Sequence, residues 1–204
     1  MKYTLYILSS FLLFIVSCNT KPGSSSNDNS HLRTPVYTEP EESFNFSEFL
    51  IAKHHLGRIY VGDDIKDVDS IIHNLTKQEI EAWELGFDGG GVAYLYLFED
   101  EPVFGLIPAY ETDSIIGIVA LHTKLKSKNG IHPGMTAGNL SSYYPNELFY
   151  EDLLTGREAL FDSLNSLIFV FETDSTNRIG MYPEIEVGST LINPDPEIDW
   201  VLIR

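Results

Sequence analysis

Cysteine is nearly missing from this chain: Cys18 is the only one. A lone cysteine excludes an internal disulfide, a multi-cysteine zinc site and a Cys-X-X-Cys redox pair. Basic side chains are scarce as well, with 13 Lys plus Arg against 30 Asp plus Glu and a net charge of −17. Such a surface repels nucleic acid and anionic headgroups, because binding either requires clustered cations. The sequence offers no basic patch to offset it, so no nucleic-acid partner is expected. Long hydrophobic runs are also lacking. After Val16 nothing approaches the about 20 apolar residues that a membrane-spanning helix needs.

What is present begins at the first residues. Lys2 is followed by an apolar or hydroxyl-bearing run from Tyr3 to Val16 and a small residue, Ser17, immediately before Cys18. That is the layout of a cleaved export signal over residues 1–17. The residues Ile15, Val16, Ser17 and Cys18 resemble the lipobox of bacterial lipoproteins, in which an aliphatic, a tolerant and a small residue precede an obligatory cysteine. The resemblance implies cleavage between Ser17 and Cys18, a diacylglycerol thioether on the cysteine thiol, and further acylation by a fatty acid such as palmitate. Two or three acyl chains anchor stably where one does not. It also implies export and attachment to a bacterial membrane. Because Asn19 replaces the aspartate that retains some lipoproteins at the inner membrane, the expected location is the outer membrane, facing the periplasm. Loss of residues 1–17 leaves 12 basic against 30 acidic residues, a net charge of −18.

Residues 18–43 consist of the lipidated cysteine and a polar stretch whose only sizeable apolar side chains are Leu32, Val36 and Tyr37. So little apolar surface cannot repay the entropy of folding, and the stretch reads as a tether with a reach of about 28 Å. From Phe44 onward the chain is rich in Ile, Leu, Phe and Tyr, enough for a sizeable core.

Internal similarity is the main clue to its organisation. Arg58 to Asn74 aligns without gaps on Gly130 to Asn146, matching Ile59 with Ile131, Gly62 with Gly134, Val68 with Leu140 and Asn74 with Asn146. Apolar runs further along match at slowly growing shifts, as expected of a duplication with lengthened loops. In each copy an extended piece ends at glycine and a helix follows, with Ile65, Val68, Ile71 and Ile72 on one face of the first and Thr136 capping the second. Pro145 ends the second helix. Runs rich in Tyr, Phe, Ile and Val, broken by Pro, Gly and acidic residues, then read as hairpin strands. Phe46 to Lys53 is read as a further strand. The expected fold is therefore α+β: two tandem repeats, over residues 44–124 and 125–204, each a short helix on an antiparallel sheet of three to four strands.

Gly130-Ile131-His132-Pro133-Gly134-Met135-Thr136, followed by Leu140 and Tyr144-Pro145, resembles the signature of BamE-like and β-lactamase-inhibitor-like envelope modules. The first copy has Asp63-Asp64 where that signature has Met-Thr. The resemblance implies a non-catalytic binding or assembly module with a sheet surface, its partner another envelope protein.

Candidate chemistry is thin. His54 and His55 are adjacent and so diverge, His73, His122 and His132 are dispersed, and no HExxH or HxH spacing occurs. No metal site and no cofactor are expected. There is no Gly-x-Ser-x-Gly elbow, and the Asp-Ser pairs at residues 69, 113, 162 and 174 read as turns and caps. Asp88-Gly89-Gly90-Gly91 precedes a strand, the reverse of the order that cradles phosphate. Catalytic residues are accordingly expected to be none. Tyr94 and Tyr96, with Phe169 and Phe171, alternate with aliphatic residues, and their outward set would make an aromatic docking face. Gly62, Gly134 and Met135 complete the candidate binding residues through the loops they occupy. The expected function is a lipid-anchored envelope protein that binds or assembles another protein without catalysis. The alternatives are an envelope hydrolase and a structural surface lipoprotein.

Overall fold

A strand that is apolar at consecutive positions must bury both of its faces, which an interior strand of a covered sheet can do. Several stretches have that character, Ile115–Ala120 and Trp200–Ile203 among them. The structure, a computed structural model, describes residues 44–184 and 187–204. Cys18, Ser17, the export signal and the tether lie outside the described residues.

The described chain opens with a 3-10 turn at Phe46–Glu48 and three two-residue strands, β1 (Ile51–Ala52), β2 (His55–Leu56) and β3 (Ile59–Tyr60). Helix α1 (Ile65–Ile71) follows, then β4 (Thr76–Glu81), a 3-10 turn at Ala82–Leu85, β5 (Val92–Phe98), β6 (Glu101–Pro108) and β7 (Ile115–Ala120). The second half contains α2 (Ala137–Tyr143), β8 (Phe149–Glu151), β9 (Glu158–Asp162), β10 (Leu167–Phe171) and β11 (Trp200–Ile203). Strands β1 to β3 form a small antiparallel sheet, and the other eight form one antiparallel sheet in the order β4-β5-β6-β7-β11-β10-β9-β8.

This corrects the α+β expectation. The described chain is mostly β, with eleven strands in two antiparallel sheets and only two helices of seven residues each, and it does not form two helix-on-sheet repeats. The physical reason lies in two of the doubly apolar strands. β7 and β11 pair with each other, Val201 opposite Ala120 and Leu202 opposite Val119, so the strands of both halves become one continuous sheet. Phe46 to Lys53 also departs from the expected single strand: a 3-10 turn, with Asn45 accepting from the Ser47 N–H at 3.2 Å, precedes the two residues of β1.

Local expectations fare better at the helix starts. Asp64 Oδ1 accepts the Lys66 N–H at 2.8 Å and caps α1, and Thr136 Oγ1 accepts the Asn139 N–H at 3.2 Å and caps α2. The preceding glycines, Gly62 and Gly134, have φ of +100° and +82°, a region that side chains with a Cβ rarely enter. Their N–H groups donate to Ile115 and Ile198 carbonyls, each at 2.7 Å, tying both turns to the segments that lead into β7 and β11.

The two faces of the large sheet are covered differently. On one, α1, α2 and the small sheet bury Ile65, Val68, Leu140 and Leu56 against Phe104, Leu106, Phe169, Phe171 and Val201. On the other, Ala82 and Leu85 of the second 3-10 turn pack on Ala93, Ile107 and Val119, in a cluster that also takes in Val170, Trp200 and Leu202. Gly105 makes room for that turn, since a Cβ there would collide with the Leu85 side chain. No helix among the described residues is long and apolar enough to cross a membrane.

Candidate functional site

The strands alternate, so Ala159 and Phe161 of β9, Ile168 and Val170 of β10, and Trp200 and Leu202 of β11 share the face away from the helices. Cross-strand register sets Ile168 opposite both Phe161 and Leu202, and Val170 opposite both Ala159 and Trp200. These six side chains floor an open groove of about 340 Å3 whose margins are Gly86, Asp88, Asp152, Arg157 and Arg204. Phe161 stands 41% exposed where β9 runs past the end of its pairing with β8.

One wall of the groove is built with care. The Arg157 guanidinium lies 4.9 Å from the centre of the Trp200 ring, and its Nε and Nη2 donate to Glu172 Oε1 at 3.1 and 2.9 Å. Stacking on indole holds the guanidinium flat while the carboxylate fixes its rotation. The turn that carries Arg157 is closed by Asp152, whose side chain accepts from the Leu154 N–H at 2.9 Å and the Thr155 hydroxyl at 2.9 Å. Gly86 lets the Trp200 ring approach the 3-10 turn, because a Cβ there would stand 2.9 Å from the ring. An aromatic and an arginine on an otherwise aliphatic floor are the residue types that dominate protein-protein contacts.

The aromatic residues expected to form a docking face are placed elsewhere. Tyr96, Phe169 and Phe171 are core residues on the helix-covered side. The Tyr96 ring stacks 4.7 Å from Phe104 and its hydroxyl donates to Asp69 at 2.7 Å; burial first, then that bond, pushes the hydroxyl pKa up. Tyr94 is half-buried beneath the Lys77 ammonium, 4.1 Å from the ring centre. Gly62 and Gly134 serve the helix-start turns described above. Met135 lines a separate depression of about 350 Å3 with Asn139, Ser142 and Tyr143. The structure therefore brings none of these seven residues into the groove.

Two acids are buried, Glu158, which went unnoticed in the sequence, and Asp162, which in the sequence reads as a turn or cap residue. Glu158 is fully buried, accepts from the Ile179 N–H through both oxygens at 3.1 and 2.9 Å, from the Gly180 N–H at 2.9 Å and from the Tyr182 hydroxyl at 2.6 Å, and also bonds the Thr173 hydroxyl. It pins the long β10–β11 connection to the sheet. Asp162 accepts from the Tyr144 hydroxyl at 2.7 Å and from the Asn165 side chain and N–H at 2.7 and 3.1 Å. Burial alone would raise its pKa, yet the bonds from Asn165 and Tyr144 outweigh that and hold the carboxyl below its ordinary value. Both acids are fully occupied by neighbours from their own chain. Among the described residues no group of three or more His, Cys, Asp or Glu is placed to hold a metal ion.

Comparison with known proteins adds to the fold and not to the chemistry. No family model matches this chain, and no curated protein matches it significantly. A solved structure that is similar is the uncharacterized protein yfeY from Escherichia coli. It shares 12% identity over 76% of this chain and 99% of that chain, with a TM-score of 0.50. At that identity the likeness shows a shared fold alone.

Proposed function

We propose that this chain is a lipid-anchored envelope protein, held to the outer membrane through Cys18 and facing the periplasm, that acts as a non-catalytic protein-binding or assembly module. The docking surface in this reading is the open groove on β9, β10 and β11. The observation that supports it is the wall in which Arg157 stacks on Trp200 beside the exposed Phe161, above an aliphatic sheet face. The partner is another envelope protein whose docking segment carries an apolar anchor side chain among basic residues. Basic flanks follow from charge complementarity with a chain of net charge −18 after signal removal. No nucleic acid and no cofactor enter this reading.

Two experiments test the two halves of the proposal. Replacing Cys18 with Ser is expected to abolish palmitate labelling and leave unprocessed precursor, and continued labelling of that variant would overturn the anchor. For the docking face, a photo-crosslinking side chain at position 161 of the lipidated protein, irradiated in intact cells, is expected to yield one discrete protein adduct. The adduct should disappear when Arg157 is changed to Glu. An adduct equally strong from position 116, on an exposed residue of β7 in the other half, would show that the groove is not the docking face.

A further inference from the structure

Ten lysines and arginines lie among the described residues. Five face carboxylates: Arg58 on Glu48, Lys66 on Asp113, Lys77 on Asp69, Arg157 on Glu172 and Arg178 on Glu151. The other five, Lys53, Lys124, Lys126, Lys128 and Arg204, have no carboxylate within ion-pair distance among the described residues. Lys124, Lys126 and Lys128 are near neighbours in the sequence, and the fold brings the hairpin that carries Lys53 beside them. The Ile51 N–H donates to the Lys126 carbonyl at 3.0 Å and Ile51 bridges Ser127, which lays the β1–β2 hairpin beside the connection between the two halves. His54 Nδ1 lies 2.5 Å from the Arg204 carbonyl, bringing the end of β11 to the same hairpin. The seam thus joins Lys53 of the hairpin to the stretch that carries Lys124, Lys126 and Lys128.

A cavity of about 240 Å3 opens in this seam. Lys53 reaches it from the hairpin and Lys128 from the connection, with Ser127, Asn129 and Asn165 as neutral polar neighbours. No aspartate or glutamate lines it, and its apolar floor includes Ile131 and Leu167. The nearby Asp162 already accepts from Tyr144 and Asn165. Two unmatched ammonium groups repel each other in the empty cavity, and a multiply charged anion between them reverses the sign of that interaction. Lysines act on phosphate as point charges, and neutral hydroxyl and amide donors complete the shell of a tetrahedral anion.

We propose that this cavity is a binding site for a phosphate monoester, with the phosphate between Lys53 and Lys128 and the apolar part of the ligand on the Ile131 and Leu167 floor. The site is separate from the groove on β9 to β11 and does not depend on it. The test is isothermal titration of the detergent-solubilised lipidated chain with three probes: phenyl phosphate, inorganic phosphate and short-chain phosphatidic acid. Phenyl phosphate is expected to bind more tightly than inorganic phosphate. Lys53→Gln and Lys128→Gln, both exposed and free of structural bonds, are each expected to weaken it about tenfold. Lys66→Gln, on a remote ion pair, should leave it unchanged. Binding of phosphatidic acid alone, with the same dependence on the two lysines, would assign the phosphate to a lipid headgroup and uphold the site. Absence of binding by all three probes, or binding that survives both lysine substitutions, would overturn it.

Discussion

The two halves of the large sheet contain four strands each and are finished in opposite ways. In the first half, ten residues separate β4 from β5, and within them the 3-10 turn lays Ala82 and Leu85 over the sheet. In the second half only the Asp152-stabilised turn separates β8 from β9, and the same face stays open over Phe161 and leaves Ile168 half-buried. The second connection at each of those ends reverses the pattern. β6 reaches β7 through a short turn, whereas β10 reaches β11 through a long excursion that buries Ile179 and is pinned by Glu158. The difference teaches that coverage of a sheet face is decided by connections, while the strands alone leave it undetermined.

Breaking the pin should have the largest effect. Glu158→Ala would leave the Ile179 and Gly180 N–H groups and the Tyr182 hydroxyl without their acceptor in a buried site. The expected loss is about 3 to 5 kcal/mol in urea unfolding. A loss below about 1 kcal/mol would mean that the long connection holds itself.

A paired substitution sharpens the contrast between covered and open face. Leu85→Ala removes the cap of the first half and is expected to cost about 2 to 4 kcal/mol, as for a buried leucine. Phe161→Ser, on the open half, should cost about 1 kcal/mol, less than the leucine, while weakening partner capture. Equal losses in the two variants would remove the distinction between the faces.

The smallest effect concerns pH. Because the Asp162 carboxyl is held below its ordinary value in the folded chain, it contributes stability that is fully present above the unfolded carboxyl value of about 3.9. That contribution is lost as pH falls through the lowered folded value. Asp162→Asn is therefore expected to make the acid limb of a stability profile shallower without altering the profile near neutrality. An unchanged acid limb would show that the Tyr144 and Asn165 bonds do not favour the ionised form.

Much of the local structure was legible in the residues. Gly62 and Gly134 ended extended pieces, Thr136 capped the second helix, and Ile65 and Val68 faced the core, because these depend on interactions within a few residues. The helices came out shorter than about ten residues, and Ile71 is 47% exposed, since α1 stops there with nothing left to pack. The aromatic set was recognised but assigned to the wrong side. Period two places Tyr94, Tyr96, Phe169 and Phe171 on one face, yet it does not say which face the helices cover. Trp200 and Phe161 escaped notice because an apolar run such as Trp200 to Ile203 carries no inside or outside label of its own.

The sequence by itself therefore determined the acidity, the turns and caps, and the positions of the apolar runs, and it carries the lipobox resemblance on which the proposed anchor rests. Each of these is written in neighbouring residues. Tertiary structure alone decided that β7 would pair with β11, that Arg157 would lie on Trp200, that Glu158 would be buried, and that Lys53 and Lys128 would line one cavity. Those outcomes join segments far apart in the chain, and they follow from the competition among strands for buried neighbours, which no local pattern records.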